Sequence, residues 1–106
     1  MLTLIDSQML NILKQRVQKI TPIERIIVFG SRARGDADKE SDWDVFIQLP
    51  ELSSYLRKQI LEIAWEISLD YGVVISIFLV STPLLVNSPI GGNPILRVIQ
   101  REGIPV

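Results

Sequence analysis

Hydrophobic positions along this chain keep two different periods, and each stretch settles on one of them. Met9, Leu10, Leu13, Val17 and Ile20 recur at three- and four-residue steps, which is the spacing of a single helix face. They predict a helix over residues 6–20, capped by Asp6 or Ser7 and stopped by Thr21-Pro22. Arg25 to Phe29 is a short apolar run rich in β-branched residues and predicts a buried strand. From Trp43 to Leu49 the pattern alternates. Trp43, Val45, Ile47 and Leu49 fall on one side, and Asp42, Asp44, Phe46 and Gln48 fall on the other. Pro50 suits a helix start, and Leu52, Leu56, Ile60, Ile63, Ala64 and Ile67 carry a helical stripe to about Leu69, with Gly72 as its stop. Val73 to Val80 is almost wholly apolar and predicts a central strand. The strand–helix–strand unit from Trp43 to Val80 predicts two parallel strands in one sheet.

Between Gly30 and Ser41 the chain is polar, a connection with room for one short helical turn. Ser81 to Gly92 holds Pro83, Pro89, Gly91 and Gly92 and predicts a loop with one turn near Leu84. Asn93-Pro94 is a cap followed by a helix-starting proline. The last helix is expected to end at Gly103, with a short edge strand over 104–106. The order α-β-β-α-β-α predicts an α/β (α+β) fold, a small mixed β-sheet packed against helices, as a single domain over 1–106.

Composition narrows the chemistry. At 106 residues, 47% hydrophobic and 22% charged, the chain has the makings of one packed core. A formal net charge of −1 and a pI near 5.3 argue against binding nucleic acid directly through a basic field. The sequence has no cysteine and no histidine, which removes disulfides, thiolate metal sites and a Ser-His-Asp triad. No apolar run reaches membrane-spanning length and no signal-peptide pattern opens the chain, so a cytoplasmic protein without membrane contact is expected.

The polar connection carries the chemistry. It opens with Gly30-Ser31 at the end of a strand, and ten residues later it reaches Asp42 and Asp44. Side chains two apart on a strand project together, so these carboxylates share a face. Unpaired, they repel each other; a Mg2+ ion, commonly held by one or two carboxylates plus substrate phosphates, removes that penalty. A turn such as Gly30-Ser31 offers backbone N–H groups and a hydroxyl to a phosphate, and a side chain at Gly30 would block close approach. Arg32 and Arg34 carry guanidinium forks that suit either phosphate oxygens or the acids Asp36, Asp38 and Glu40 of the same loop, and Arg32 is favoured for phosphate because it directly follows the turn. Trp43 points away from the aspartates and reads as core.

Strand, Gly-Ser, ten residues and Asp-x-Asp on a second strand together resemble the signature of the nucleotidyltransferase superfamily that includes DNA polymerase beta. The resemblance is strongest to its smallest members, the minimal nucleotidyltransferases (MNT), and the ending from Ile99 to Ile104 is similar to the close of those domains. It implies a nucleotidyltransferase fold, Mg2+ on Asp42 and Asp44, ATP as substrate with its phosphates at Gly30, Ser31 and Arg32, and a HEPN-type toxin as partner. In that pairing the MNT protein is an antitoxin that transfers AMP to the toxin. One feature departs from the larger family: its third carboxylate, on the strand after the long helix, has no counterpart in Val73–Val80, where Ser76 is the only polar side chain. Two other readings therefore stand beside the enzyme. One is a binding module without catalysis that neutralises its partner by contact, and the other is transfer to a small molecule such as an aminoglycoside. The wide apolar stripe of the long helix, with Leu84, Leu85, Val86 and Ile90, predicts a stable oligomer, a homodimer or a complex with the partner, in contact near residues 83–94.

Overall fold

In the computed structural model, which describes residues 2–87 and 94–106, the first helix, α1, covers Leu4–Gln18. It begins earlier than the apolar stripe suggests because Thr3 is the cap. The Thr3 hydroxyl accepts the Asp6 N–H, and the Asp6 carboxylate accepts the Thr3 N–H, a reciprocal capping box. Asp6 is thus the third helical residue and not the cap, and Ile20 lies beyond the helix, exposed.

Strand β1 (Arg25–Phe29) leads through Gly30 into a one-turn helix, α2 (Ser31–Arg34). Strand β2 covers Trp43–Leu49 as its alternation predicts. The long helix α3 starts at Ser54, later than Pro50, because the Ser53 hydroxyl accepts the Leu56 N–H and fixes the cap there. Gly72 ends it in the left-handed conformation, φ 66°. Strand β3 is Ile75–Ser81, helix α4 is Thr82–Asn87, helix α5 is Pro94–Glu102 and strand β4 is Ile104–Pro105. The predicted loop after Ser81 is thus a helix as far as Asn87; the expected cap at Asn93 and the apolar Ile90 lie outside the described residues.

The sheet order is β3-β2-β1-β4. β1 pairs antiparallel with β2 and β4, whereas β2 and β3 run parallel. β3, expected in the centre, is therefore an edge strand. It is apolar for a different reason, since helices cover both faces of the sheet. On one face α1 and α3 pack Leu10, Leu13, Val17, Ile60, Ile63 and Ile67 against Val28, Trp43, Val45, Ile47 and Leu79. On the other, Leu85 of α4 and Ile95, Leu96 and Ile99 of α5 cover Ile27, Phe29, Phe46, Phe78 and Val80.

Gln48, the one buried polar residue among the described residues, is fully engaged. Its amide accepts from Arg25 Nε (2.7 Å) and donates to Thr82 Oγ1 (2.9 Å) and Glu24 Oε2 (3.2 Å). That knot ties β1, β2 and the start of α4 together at one end of the sheet. The other end, where β1 finishes and β2 begins, holds the acidic pair.

Candidate active site

The turn after β1 exists because Gly30 adopts φ 76°, a conformation open to glycine and rare for other residues. The chain reverses there, and the Ala33 and Arg34 N–H groups both donate to the Gly30 carbonyl at 3.0 Å. Ser31 heads α2, and with the Ala33 and Arg34 N–H groups taken by Gly30, those of Ser31 and Arg32 are left without an intrahelical acceptor. Among the described residues the Ser31 hydroxyl has no hydrogen-bond partner. A methyl group at Gly30 would sit 2.5 Å from Asp44 Oδ2. The glycine therefore leaves room first of all for the Asp44 carboxylate, which lies against its backbone.

Asp44 stands opposite Phe29 in the antiparallel register and beside Ser76 in the parallel one. It projects from the face of β2 that α4 and α5 cover, the face of Phe46 and not that of Trp43. Asp42, one residue before the strand, is exposed, and Asp44 is half-buried. Burial pushes the Asp44 carboxyl above the ordinary carboxylate range, the Asp42 charge adds to the rise, and the Arg34 guanidinium opposes it. Among the described residues neither aspartate accepts a hydrogen bond or an ion pair through its side chain. Two unneutralised, all-oxygen donors this close fit a hard cation such as Mg2+. No cluster of three or more acidic residues suited to a metal occurs among the described residues. Ser76, exposed on β3, occupies the register position beside Asp44.

Arg32 is placed away from this opening. Its Nη2 and Nε donate to the Ser41 carbonyl at 2.8 and 3.2 Å, and its guanidinium lies 4.7 Å above the centre of the buried Trp43 ring. The fork thus closes the polar connection just before Asp42. Asp38 organises the same loop, accepting the Glu40 N–H through its side chain at 2.8 Å while its own N–H donates to Ser41 Oγ at 3.0 Å. Arg34, weighed on the sequence beside Arg32 and set behind it, is the cation that Asp44 senses. It is held by Asp36 and, from α5, by Glu102, both at 3.1 Å. Nothing local foretells the second contact, because the partners lie 68 positions apart.

The site is therefore an oxygen-donor pair beside a glycine turn, on a strand that runs parallel to its edge neighbour. Three comparisons with known proteins meet this geometry. MJ0141 of Methanocaldococcus jannaschii, a candidate protein adenylyltransferase, is 49% identical over 55 residues, 51% of this chain and 56% of the relative. The match thus spans little more than half of that relative's length. A toxin–antitoxin complex crystallised with AMP-PNP superposes with a TM-score of 0.64 at 18% identity, over 90% of this chain and 69% of that one, and shares the fold. A structure of a candidate minimal nucleotidyltransferase gives a TM-score of 0.60 at 27% identity, over 94% of this chain and 90% of that one. A model of the nucleotidyltransferase domain matches residues 7–97. Because that span runs from α1 into α5 and takes in the Gly-Ser turn and both aspartates, the chain belongs to the nucleotidyltransferase domain family, as one of its minimal members.

Proposed function

We propose that the chain is a Mg2+-dependent nucleotidyltransferase that transfers AMP from ATP to a hydroxyl of a partner protein. The observation that carries this reading is the unneutralised Asp42–Asp44 pair beside the Gly30 turn. Asp42 and Asp44 hold the metal. When bound, Mg2+ neutralises triphosphate oxygens and draws electrons from phosphorus. The Ser31 hydroxyl and the N–H groups of Ser31 and Arg32 receive the β- and γ-phosphates. Arg32 contributes through the loop it holds, which fixes Asp42, and reaches a phosphate only by releasing the Ser41 carbonyl. The acceptor oxygen bonds to the α-phosphorus, the bond to the β-phosphate oxygen breaks, and pyrophosphate leaves. With Ser76 at the neighbouring position on β3, the hydroxyl proton passes to solvent or to a base on the acceptor.

The acceptor in this reading is a HEPN-type toxin and the chain its antitoxin. The toxin–antitoxin neighbour with AMP-PNP supports that assignment, as does the adenylyltransferase relative. The contact-only alternative is favoured by one observation, the absence of any acid on β3. Labelled ATP, Mg2+ and a co-expressed HEPN-type partner decide between them. An AMP adduct on the partner, seen as a mass shift and lost in Asp42→Ala with Asp44→Ala or after chelation, is the expected result. A tight complex with no adduct on any chain would establish the contact-only reading.

A further inference from the structure

Helix α3 buries Ile60, Ile63, Ala64 and Ile67 and turns a second apolar row outward. Leu61, Trp65 and Leu69 follow one another at four-residue steps, 43%, 64% and 62% exposed, and Val74 before β3 extends the row at 57%. Beside Leu61 and Trp65 lies a hollow of about 390 Å³ bounded also by Ser54, Arg57, Lys58 and Glu62. Among the described residues Arg57, Lys58 and Glu62 have no ion-pair partner, whereas Arg16 and Arg34 are paired on the chain's own carboxylates.

The charges on this face are self-complementary. Reading along α3, the cations Arg57 and Lys58 come one turn before Leu61, while Glu62 and Trp65 follow it. We infer that α3 packs against α3 of a second copy of this chain, antiparallel about a two-fold axis near Leu61. At about 1.5 Å per residue, Trp65 then lies roughly 6 Å from the axis, level with Arg57 and Lys58 of the partner copy, which lie about 4.5–6 Å from it on the same side. Each indole enters the other copy's hollow beneath a cation, and each Lys58 faces the other copy's Glu62. Leu61 and Trp65 fall within the stretch where the two α3 helices overlap, and Leu69, about 12 Å from the axis, reaches the start of the partner's helix, so the apolar contact is centred on the two leucines at 61 and the two indoles, with the alkyl stems of Arg57 and Lys58 beside them. A like-handed parallel pair would instead stack Arg57 and Lys58 on themselves.

Sedimentation of the chain without nucleotide or metal tests this separately from the nucleotidyl-transfer reading. The expected result is a reversible dimer at micromolar concentration, weakened about tenfold or more by Trp65→Ser. Circular dichroism should show the fold unchanged, since Trp65 is exposed and outside the core. Lys58→Glu and Glu62→Lys each weaken the dimer, and the two together in one chain recover it. A strict monomer up to about 100 µM, a dimer indifferent to Trp65→Ser, or a charge-swapped chain no tighter than the single variants would overturn the proposal. So would a monomer that uses this face only to hold a different protein.

Discussion

Gly30 and Asp44 belong to different strands, and their contact makes both residue types necessary. A Cβ at position 30 meets Asp44 Oδ2 at 2.5 Å, and φ 76° strains any L side chain there. Gly30→Ala is therefore expected to cost about 1–3 kcal/mol of stability. It should also push the Asp44 carboxylate out of line with Asp42. Chemical denaturation gives the first effect and calorimetric titration of Mg2+·ATP the second; full nucleotide affinity in the alanine variant would show that the contact does not position Asp44. The identity of these residues was legible in the sequence, because a glycine at a strand exit and an i, i+2 acidic pair are local patterns. The reason for the glycine was not, since the carboxylate that crowds it comes from 14 positions further along. Arg32 was illegible in the same way. A fork that follows a Gly-Ser turn suits a phosphate, yet the Ser41 carbonyl and the Trp43 ring meet it first.

At the scale of elements, the strands and the sense of their pairing followed from periodicity and connection length. β1 and β2 came out close to their predicted ends, and the crossover through α3 required β2 and β3 to be parallel. Helix ends were less legible, because single side-chain caps decided them: Thr3 with Asp6 for α1, and Ser53 for α3. The place of β3 at the sheet's edge was hidden as well. Burial by helices on both faces gives an edge strand the same apolar sequence as a central one. The register across β2 and β3 has one consequence for the site, since it brings Ser76 beside Asp44. Ser76→Asp puts a third carboxylate at that position. We expect it to tighten Mg2+ in the nucleotide complex by about threefold or more, since each added oxygen anion raises cation affinity. In the metal-free chain it should lower stability at neutral pH through repulsion with Asp42 and Asp44. Mg2+ titrations at fixed ATP and paired melting curves check both signs. A variant with unchanged Mg2+ affinity would mean that the carboxylate at position 76 cannot reach the metal proposed for Asp42 and Asp44.

Across the whole molecule, the proposed metal role of the acidic pair sets the stability of the empty fold against the binding of a ligand. The folded state keeps a proton on Asp44 more tightly than the unfolded chain does. That group therefore contributes stability below the ordinary carboxylate pKa of about 3.9, and the contribution is lost as pH rises through the raised folded value. Above that range the metal-free protein folds against the repulsion of Asp42 and Asp44. Asp44→Asn removes one charge without changing shape. It should melt higher than wild type at pH 7 in chelator, with the difference closing as pH falls into the carboxylate range. Adding Mg2+ and ATP should reverse the order. A ligand at a hundred times its Kd stabilises the folded state by about 2.7 kcal/mol, which for a domain of this size corresponds to a rise in Tm of roughly 10–20 °C. An amide at position 44 leaves the metal one carboxylate short, so the variant should gain much less. The decisive comparison is wild type against Asp44→Asn, in chelator and in Mg2+·ATP, at pH 7 and near pH 4. If the curves cross only when ligand is present, the carboxylate that weakens the empty fold is the one that binds. If wild type melts higher than the variant in chelator at pH 7, the repulsion between the two aspartates is not a cost to the fold.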